Sequence, residues 1–89
     1  MSNFVLIRHN VRDFEAWKAG FDGHRSKRLE AGLSEKQLLR GSDNGNEVVL
    51  LLEVADLNRA KAFIASADLR ETMQTFGVVD KPDVYFLKD

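Results

Sequence analysis

One helical stripe combines the side chains best suited to bind or activate a small molecule. At about 100° per residue, four residues fall within about 80° of one another: Trp17, Phe21, His24 and Arg28. The stripe begins with aromatic rings and ends with an imidazole, which can act as a base near neutral pH, and a guanidinium, which binds anionic oxygens. Arg25 lies at its edge.

Two interpretations of this stripe stay open. A buried guanidinium is costly without a partner. Arg28 could therefore reach water or pair with a sheet carboxylate such as Glu53, while His24 bonds a backbone carbonyl. Alternatively, the stripe lines a half-polar pocket between helix and sheet. In that case His24 is a candidate catalytic residue, and Trp17, Phe21 and Arg28 are candidate ligand-binding residues.

His9 and Tyr85 are the remaining candidates. His9 ends the first predicted strand on the same face as Val5 and Ile7. If that face meets the helices, His9 opens into the same pocket as a second candidate catalytic residue; otherwise it is an exposed strand-end histidine. Tyr85 offers a phenol, either to a ligand or as a packed core residue with a satisfied hydroxyl.

Composition excludes several classes of function. The chain has 89 residues, which predicts one domain spanning 1–89. A net charge of −1 supplies no field for nucleic acid or an anionic membrane. The lack of cysteine excludes disulfides, iron–sulfur clusters and a thiol nucleophile, and two histidines are too few for most metal sites. We expect no metal and no cofactor, since there is neither a glycine-rich phosphate loop nor a nucleophile elbow.

No run of apolar residues is long enough for a signal peptide or a membrane span, which predicts a cytoplasmic protein.

The elements that must position these side chains alternate in the order βαββαβ. Strands are predicted at residues 3–9, 36–42, 47–54 and 83–88. One helix runs from an Asp13 cap to about residue 31 and ends at Gly32. Another starts after Asp56 and is interrupted at residues 66–68. A capping box of Asp68 and Glu71 restarts it, and it ends at Gly77.

The two middle strands should form a hairpin through a type I′ turn at residues 44–45, where the sequence is Asn-Gly. The order is that of a ferredoxin-like α+β fold, with a four-stranded antiparallel sheet and two helices on one face.

The strand pattern predicts a homodimer. Residues 4–7, 48–52 and 84–87 are apolar without alternation, so three strands should be buried on both faces. Two helices cover only one face. A second copy of the sheet, packed face to face about a two-fold axis, would cover the other. The alternative is a monomer with an exposed apolar patch.

The sequence resembles the dimeric α/β-barrel superfamily that includes antibiotic-biosynthesis-type monooxygenases, and within it a group of short bacterial proteins. The segments that carry the resemblance are 8–17, 21–24, Arg28, 31–33, 47–50, 53–56, 77–79 and 82–87. The resemblance implies a homodimer with a cleft between each sheet and its helices. Some members oxidise aromatic polyketides without metal or flavin, and others degrade haem with a second-helix histidine. The second helix here has no histidine, which argues against haem degradation.

Three functions therefore compete. The first is a dimer that binds a small aromatic or apolar ligand with an anionic or carbonyl oxygen, held by Arg28 and oriented by His24 or His9. The second is an enzyme in the same cleft, either a cofactor-free monooxygenase or an isomerase or cyclase acting alpha to a carbonyl. The third is a structural or stress-related dimer with a filled core.

Overall fold

A computed structural model describes residues 2–89 and contains four strands and four short helices. In chain order they are β1 (Asn3–Asn10), α1 (Phe14–Gly23), α2 (Arg25–Glu30), β2 (Leu33–Arg40), β3 (Glu47–Val54), α3 (Leu57–Ile64), α4 (Ala67–Thr75) and β4 (Asp83–Lys88). Each helical stretch of the βαββαβ order is broken once. Within residues 2–89, no helix is long and apolar enough to cross a membrane.

The four strands form one antiparallel sheet in the order β2-β3-β1-β4, which confirms the ferredoxin-like prediction. β1 lies at the centre, with Val5 opposite Leu52 on one side and Phe86 on the other. Buried side chains alternate along β1 and β3. Because residues opposite each other share a face, the buried set faces the helices and the other set forms a second, open face.

The predicted long first helix is instead two helices, α1 and α2, with His24 between them. His24 has φ −95° and ψ 7°, and its N–H is shared between the carbonyls of Gly20 (3.1 Å) and Phe21 (3.2 Å). Gly23, a weak helix former, precedes the break. The prediction of one continuous helix was wrong at this point, although the two segments together cover the predicted range.

The hairpin is present, but its turn differs from the prediction. Within residues 2–89, positive φ occurs only at Gly32 (80°) and Gly77 (90°), so a type I′ turn at Asn44 and Gly45 is excluded. The loop closes instead through the Glu47 N–H on the Asn44 carbonyl (3.0 Å) and the Asn46 N–H on Asn44 Oδ1 (3.0 Å). The Asn44 side chain thus closes the turn, which therefore does not need the left-handed backbone conformation of a type I′ turn.

Three element ends also differ from the sequence prediction. β1 continues one residue further, to Asn10. β2 begins at Leu33 rather than at residue 36, because Leu33 is buried opposite Val54, and it ends at Arg40. A register shift between Glu35 and Gln37 disturbs the alternation of side chains along β2, so the sequence pattern did not indicate where the strand begins.

The helix caps are partly as predicted. The Asp56 side chain accepts a hydrogen bond from the Arg59 N–H (3.2 Å), which confirms that cap. Asp13 stands at its cap position without a side-chain bond, and Asn46 Oδ1 accepts from the Phe14 N–H instead (3.0 Å). α4 is capped by Ser66, which corrects the predicted Asp68–Glu71 capping box.

Candidate functional site

A cavity of about 60 Å³ lies between the helix-facing side of the sheet and the helices. Its walls are mostly aliphatic and aromatic, with two histidines and one arginine as their charged or titratable members. The lining residues named in the sequence analysis are His9, Trp17, Phe21, His24 and Arg28. The structure thus places these candidates from β1, α1 and α2 around one cavity, as one of the two interpretations of the stripe expected. A space of this size holds a few water molecules or part of a small ligand.

His9 is the most unusual residue of the wall. Its side chain faces the helices and is only 3% exposed, and the edge of its ring meets Trp17 at 5.5 Å between centroids. Within residues 2–89, its Nδ1 is the one buried side-chain nitrogen or oxygen without a hydrogen-bond partner. Such a group costs free energy unless something satisfies it.

The pKa of His9 is lowered because burial disfavours the imidazolium, although the nearby Asp80 carboxylate partly offsets this effect. Burial alone would raise the pKa of Asp80. Hydrogen bonds from the Asn10 N–H (2.9 Å) and Nδ2 (2.7 Å), together with nearby positive charge, lower it instead. His9 is therefore a neutral imidazole at pH 7.

The Arg28 side chain links the two helices across the break between α1 and α2. Its Nη1 donates to the Phe21 carbonyl at 2.6 Å, and its guanidinium carbon lies 3.6 Å from the centroid of the Phe21 ring. At the break this carbonyl accepts only a share of the His24 N–H (3.2 Å) among the backbone bonds described there, and the Arg28 side chain supplies a second, charged donor. Glu53, the partner considered from sequence, pairs instead with Lys36 (2.9 Å). Arg28 of α2 is thus hydrogen-bonded to α1, and part of its hydrogen-bonding capacity is satisfied without a ligand.

Trp17 and Phe21 stack at 4.8 Å between centroids, which places a continuous aromatic wall between His9 and Arg28. Both rings are buried. They belong to the hydrophobic core as well as to the cavity lining.

His24 lies at the point where the cavity opens. Its ring stacks on Phe63 at 6.2 Å and meets Phe76 edge-on at 6.1 Å. The pKa of His24 is lowered by burial and by the positive charges of Arg28 and Lys27. A neutral imidazole between two phenyl rings can accept a proton or a hydrogen bond from a ligand.

A wide outer groove of about 860 Å³ lies beside the cavity, between α2 and the helices α3 and α4. Five residues line both spaces, and we call them the mouth: His24, Phe63, Leu69, Thr72 and Phe76. Beyond the mouth the groove carries charges of both signs, among them Lys27, Glu30 and Arg59. The cavity is therefore mostly apolar inside and borders a polar groove at the mouth.

Sequence reasoning did not assign the α3 and α4 side of this site. A signal was present, since Leu69, Met73 and Phe76 follow the i, i+4, i+7 spacing of one helix face. Apolar spacing marks a buried face, however, and does not distinguish a core wall from a cavity wall.

Tyr85 lies away from the cavity. It is opposite Leu6 in the sheet and therefore on the open face, where it is 56% exposed. The structure does not bring it together with the other candidates. Within residues 2–89, no group of three or more metal-ligating side chains is assembled.

The open face is apolar at its centre and charged at its ends. Its apolar members are Phe4, Leu6, Leu39, Val49, Leu51, Tyr85 and Leu87. At one end Arg8 bridges Glu47 (2.6 Å) and Asp83 (3.3 Å). We call this surface the open sheet face.

Comparison with known proteins shows which fold this is. No protein-family model and no curated protein matches the chain. Among solved structures, a candidate antibiotic biosynthesis monooxygenase from Bordetella bronchiseptica has a TM-score of 0.76 at 18% identity, covering 100% of this chain and 98% of its own. SnoaB, a cofactor-independent oxygenase from Streptomyces nogalater, has a TM-score of 0.71 at 13% identity, with coverages of 99% and 94%.

A conserved protein from Methanosarcina mazei Go1 is similar too, with a TM-score of 0.72 at 12% identity and coverages of 99% and 92%. The chain therefore has the ferredoxin-like fold of antibiotic biosynthesis monooxygenase domain proteins, as the sequence resemblance predicted. Because these identities are low, the likeness concerns the fold.

Proposed function

We propose that the cavity binds a small aromatic ligand that carries a hydroxyl, carbonyl or anionic oxygen. The observation that carries the proposal is the buried Nδ1 of His9, which has no protein partner. A ligand oxygen would satisfy that nitrogen, as donor or as acceptor according to the imidazole tautomer. The cost of leaving it unsatisfied is then offset only when ligand is present.

The walls favour an aromatic ligand. Trp17, Phe21 and Phe63 offer ring faces and edges, and aromatic pairs gain about 0.5–1.5 kcal/mol beyond the area that they bury. The cavity holds only part of a ligand, so a ring would enter through the mouth and the remainder would lie in the outer groove. Arg28 would add attraction for an anionic oxygen at the far side of the aromatic wall.

We infer that the working form is a homodimer joined through the open sheet face. This face exposes large apolar side chains, and Tyr85, Leu87 and Leu39 are each close to half exposed or more. A second copy can cover the face with identical residues, as a two-fold interface requires. Sheets packed in this way lie about 10 Å apart, close enough to exclude water from the apolar centre.

A second candidate function is oxygenation without a cofactor. Two observations favour it: His9 and His24 are both neutral bases at the cavity, and a cofactor-independent oxygenase shares the fold. A histidine would take the phenolic proton of a ligand such as 1-naphthol, and the phenolate would react with O₂ at the ring carbon opposite its oxygen. The resulting hydroperoxide loses water, so that one 1-naphthol and one O₂ give one 1,4-naphthoquinone and one H₂O.

Calorimetric titration with 1-naphthol and 1-methylnaphthalene tests binding, because the two differ only in hydroxyl against methyl. We expect the wild type to prefer 1-naphthol by about ten-fold, the worth of one hydrogen bond. His9→Leu should remove the preference. Tyr85→Phe is the matched control, since it deletes a hydroxyl from the open sheet face, and should leave the preference intact. A preference that persists in His9→Leu would contradict the assignment of His9.

Oxygen consumption tests the second candidate. With 1-naphthol, the wild type should consume one O₂ per naphthoquinone formed, and His24→Gln and His9→Leu should consume less. Binding without oxygen consumption above the buffer rate would reject oxygenation and leave the binding proposal standing.

A further inference from the structure

Gly20 and Phe76 are in unusually close contact at the cavity mouth. A Cβ placed on Gly20 would lie 2.5 Å from Phe76 Cδ1 and 2.7 Å from Cε1 and Cγ, closer than real side-chain contacts allow. The φ of Gly20 is not in the left-handed region, so the backbone itself does not require glycine there. What requires it is the ring of Phe76, which lies directly on α1.

Phe76 lies where its ring can control the access of small molecules to the cavity. It lines both the cavity and the outer groove and meets His24 edge-on at 6.1 Å. It is the C-cap residue of α4 and precedes Gly77, whose φ is +90°. Phe63, the other ring against His24, lies within α3, and its carbonyl accepts hydrogen bonds from the N–H (3.1 Å) and the hydroxyl (2.7 Å) of Ser66. Phe76 is therefore the mouth ring with the least constraint from its own helix.

We propose that Phe76 is a specificity-determining residue that limits the size of the ligand admitted to the cavity, and that Gly20 is the positioning residue that seats its ring. The proposal rests on the proposed function, because it concerns the same cavity. It adds a physical reason for glycine within α1, where every residue type except proline has a higher helix propensity. It also predicts that changes at positions 20 and 76 depend on each other, since both act on one ring.

Chemical labelling tests, without any ligand, whether Phe76 limits access to the cavity; we call this role of Phe76 the gate. Diethyl pyrocarbonate acylates neutral imidazole, and His9 and His24 are the two histidines of the chain, so peptide mass mapping separates their rates. Phe76→Ala should speed the labelling of buried His9 by about ten-fold, because the reagent must reach it through the mouth. Phe86→Ala is the matched control, as Phe86 is a partly exposed phenylalanine outside the cavity lining, and should leave the rate unchanged.

The dependence between the two positions is tested by a cycle of variants. Gly20→Ala should displace the ring and speed His9 labelling, whereas Gly20→Ala combined with Phe76→Ala should label no faster than Phe76→Ala alone. Phe76→Leu, which keeps an apolar side chain in the core, provides a folded variant if the alanine variant is unstable, and should give an intermediate rate. Unchanged labelling in Phe76→Leu and Phe76→Ala, or additive effects in the cycle, would overturn the proposal.

Size selectivity completes the test. Calorimetric titration of the wild type with phenol, 1-naphthol and 1-hydroxyanthracene should show that the tricyclic compound binds weakest relative to phenol. Phe76→Ala should improve its relative affinity by about ten-fold. If no phenol binds to any variant while labelling follows the predicted pattern, the ligand proposal fails and the gate stands. If the phenols bind with unaltered size preference and labelling is unchanged, the gate fails and the ligand proposal stands.

Discussion

Replacing His9 with leucine should make the protein more stable at pH 7 and less able to bind ligand. Leucine is close to histidine in size, and it removes a buried nitrogen that has no hydrogen-bond partner. An unsatisfied buried polar atom costs about 1–3 kcal/mol. Losing the edge contact with Trp17 offsets about 0.5–1.5 kcal/mol of this gain in stability. The free energy of unfolding should therefore rise by roughly 1 kcal/mol.

The difference should grow in acid. The folded state lowers the pKa of His9, so between the ordinary value near 6.5 and the lowered one the unfolded chain binds more protons. The stability of the wild type must fall as pH drops through this window, and His9→Leu lacks that loss. Between pH 7 and pH 5.5 the gap in unfolding free energy should widen by up to about 1.3 kcal/mol. His24 titrates in both proteins and cancels in the comparison.

Urea unfolding at fixed protein concentration measures this difference. The fluorescence of Trp17, the single tryptophan, and far-ultraviolet circular dichroism should report the same midpoint. His9→Phe serves as a second variant, since its larger ring can extend into the neighbouring cavity. If both variants are less stable than the wild type at pH 7, His9 makes a stabilising hydrogen bond in the native state and the reasoning is refuted. A gap that does not widen by pH 5.5 would refute the shifted pKa.

Two further predictions concern assembly and the helix break. At micromolar concentration, sedimentation equilibrium should give about twice 10.1 kDa for the wild type and for Leu29→Asp, an exposed α2 control. Leu51→Asp should sediment as a monomer, because a charge on the open sheet face would be buried without a partner. Arg28→Ala should lose about 1.5–3 kcal/mol of unfolding free energy in urea titrations, since the Phe21 carbonyl loses a charged donor. Arg28→Lys should recover part of this loss. If Arg28→Ala is as stable as the wild type, the Arg28–Phe21 hydrogen bond does not stabilise the helix break.

The fold was predictable because its signals are local and repeated. Strand β4 was predicted with its observed ends, and β3 likewise, because each is a dense apolar run with polar neighbours. Gly32 and Gly77 ended the helical stretches as expected, since both adopt the positive φ that glycine tolerates. These features depend on a few adjacent residues, which the sequence displays directly.

Several of the errors lie where residues outside the local segment decide the structure. Asn46, from the hairpin loop, replaces the predicted cap of Asp13 on α1. The start of β2 depends on Leu33 finding Val54 across the sheet. The break at His24 is accommodated by the side chain of Arg28, four residues along, whose bond to Phe21 has no signature in spacing alone. The four residues that the helical angles placed on one stripe nevertheless line one cavity: Trp17, Phe21, His24 and Arg28.

The two helix breaks also explain why there is a cavity. Single long helices would lie flat on the sheet and fill the layer with side chains, as close-packed interiors normally do. Here α1 and α2 part at His24, and α3 and α4 part at Ser66, where the Ser66 hydroxyl donates to the Phe63 carbonyl and accepts from the Leu69 N–H. Three mouth residues, His24, Phe63 and Leu69, lie at or within three residues of these breaks. The local cost of each break is limited by a side chain that satisfies the freed backbone groups, which allows the space around His9 to stay open.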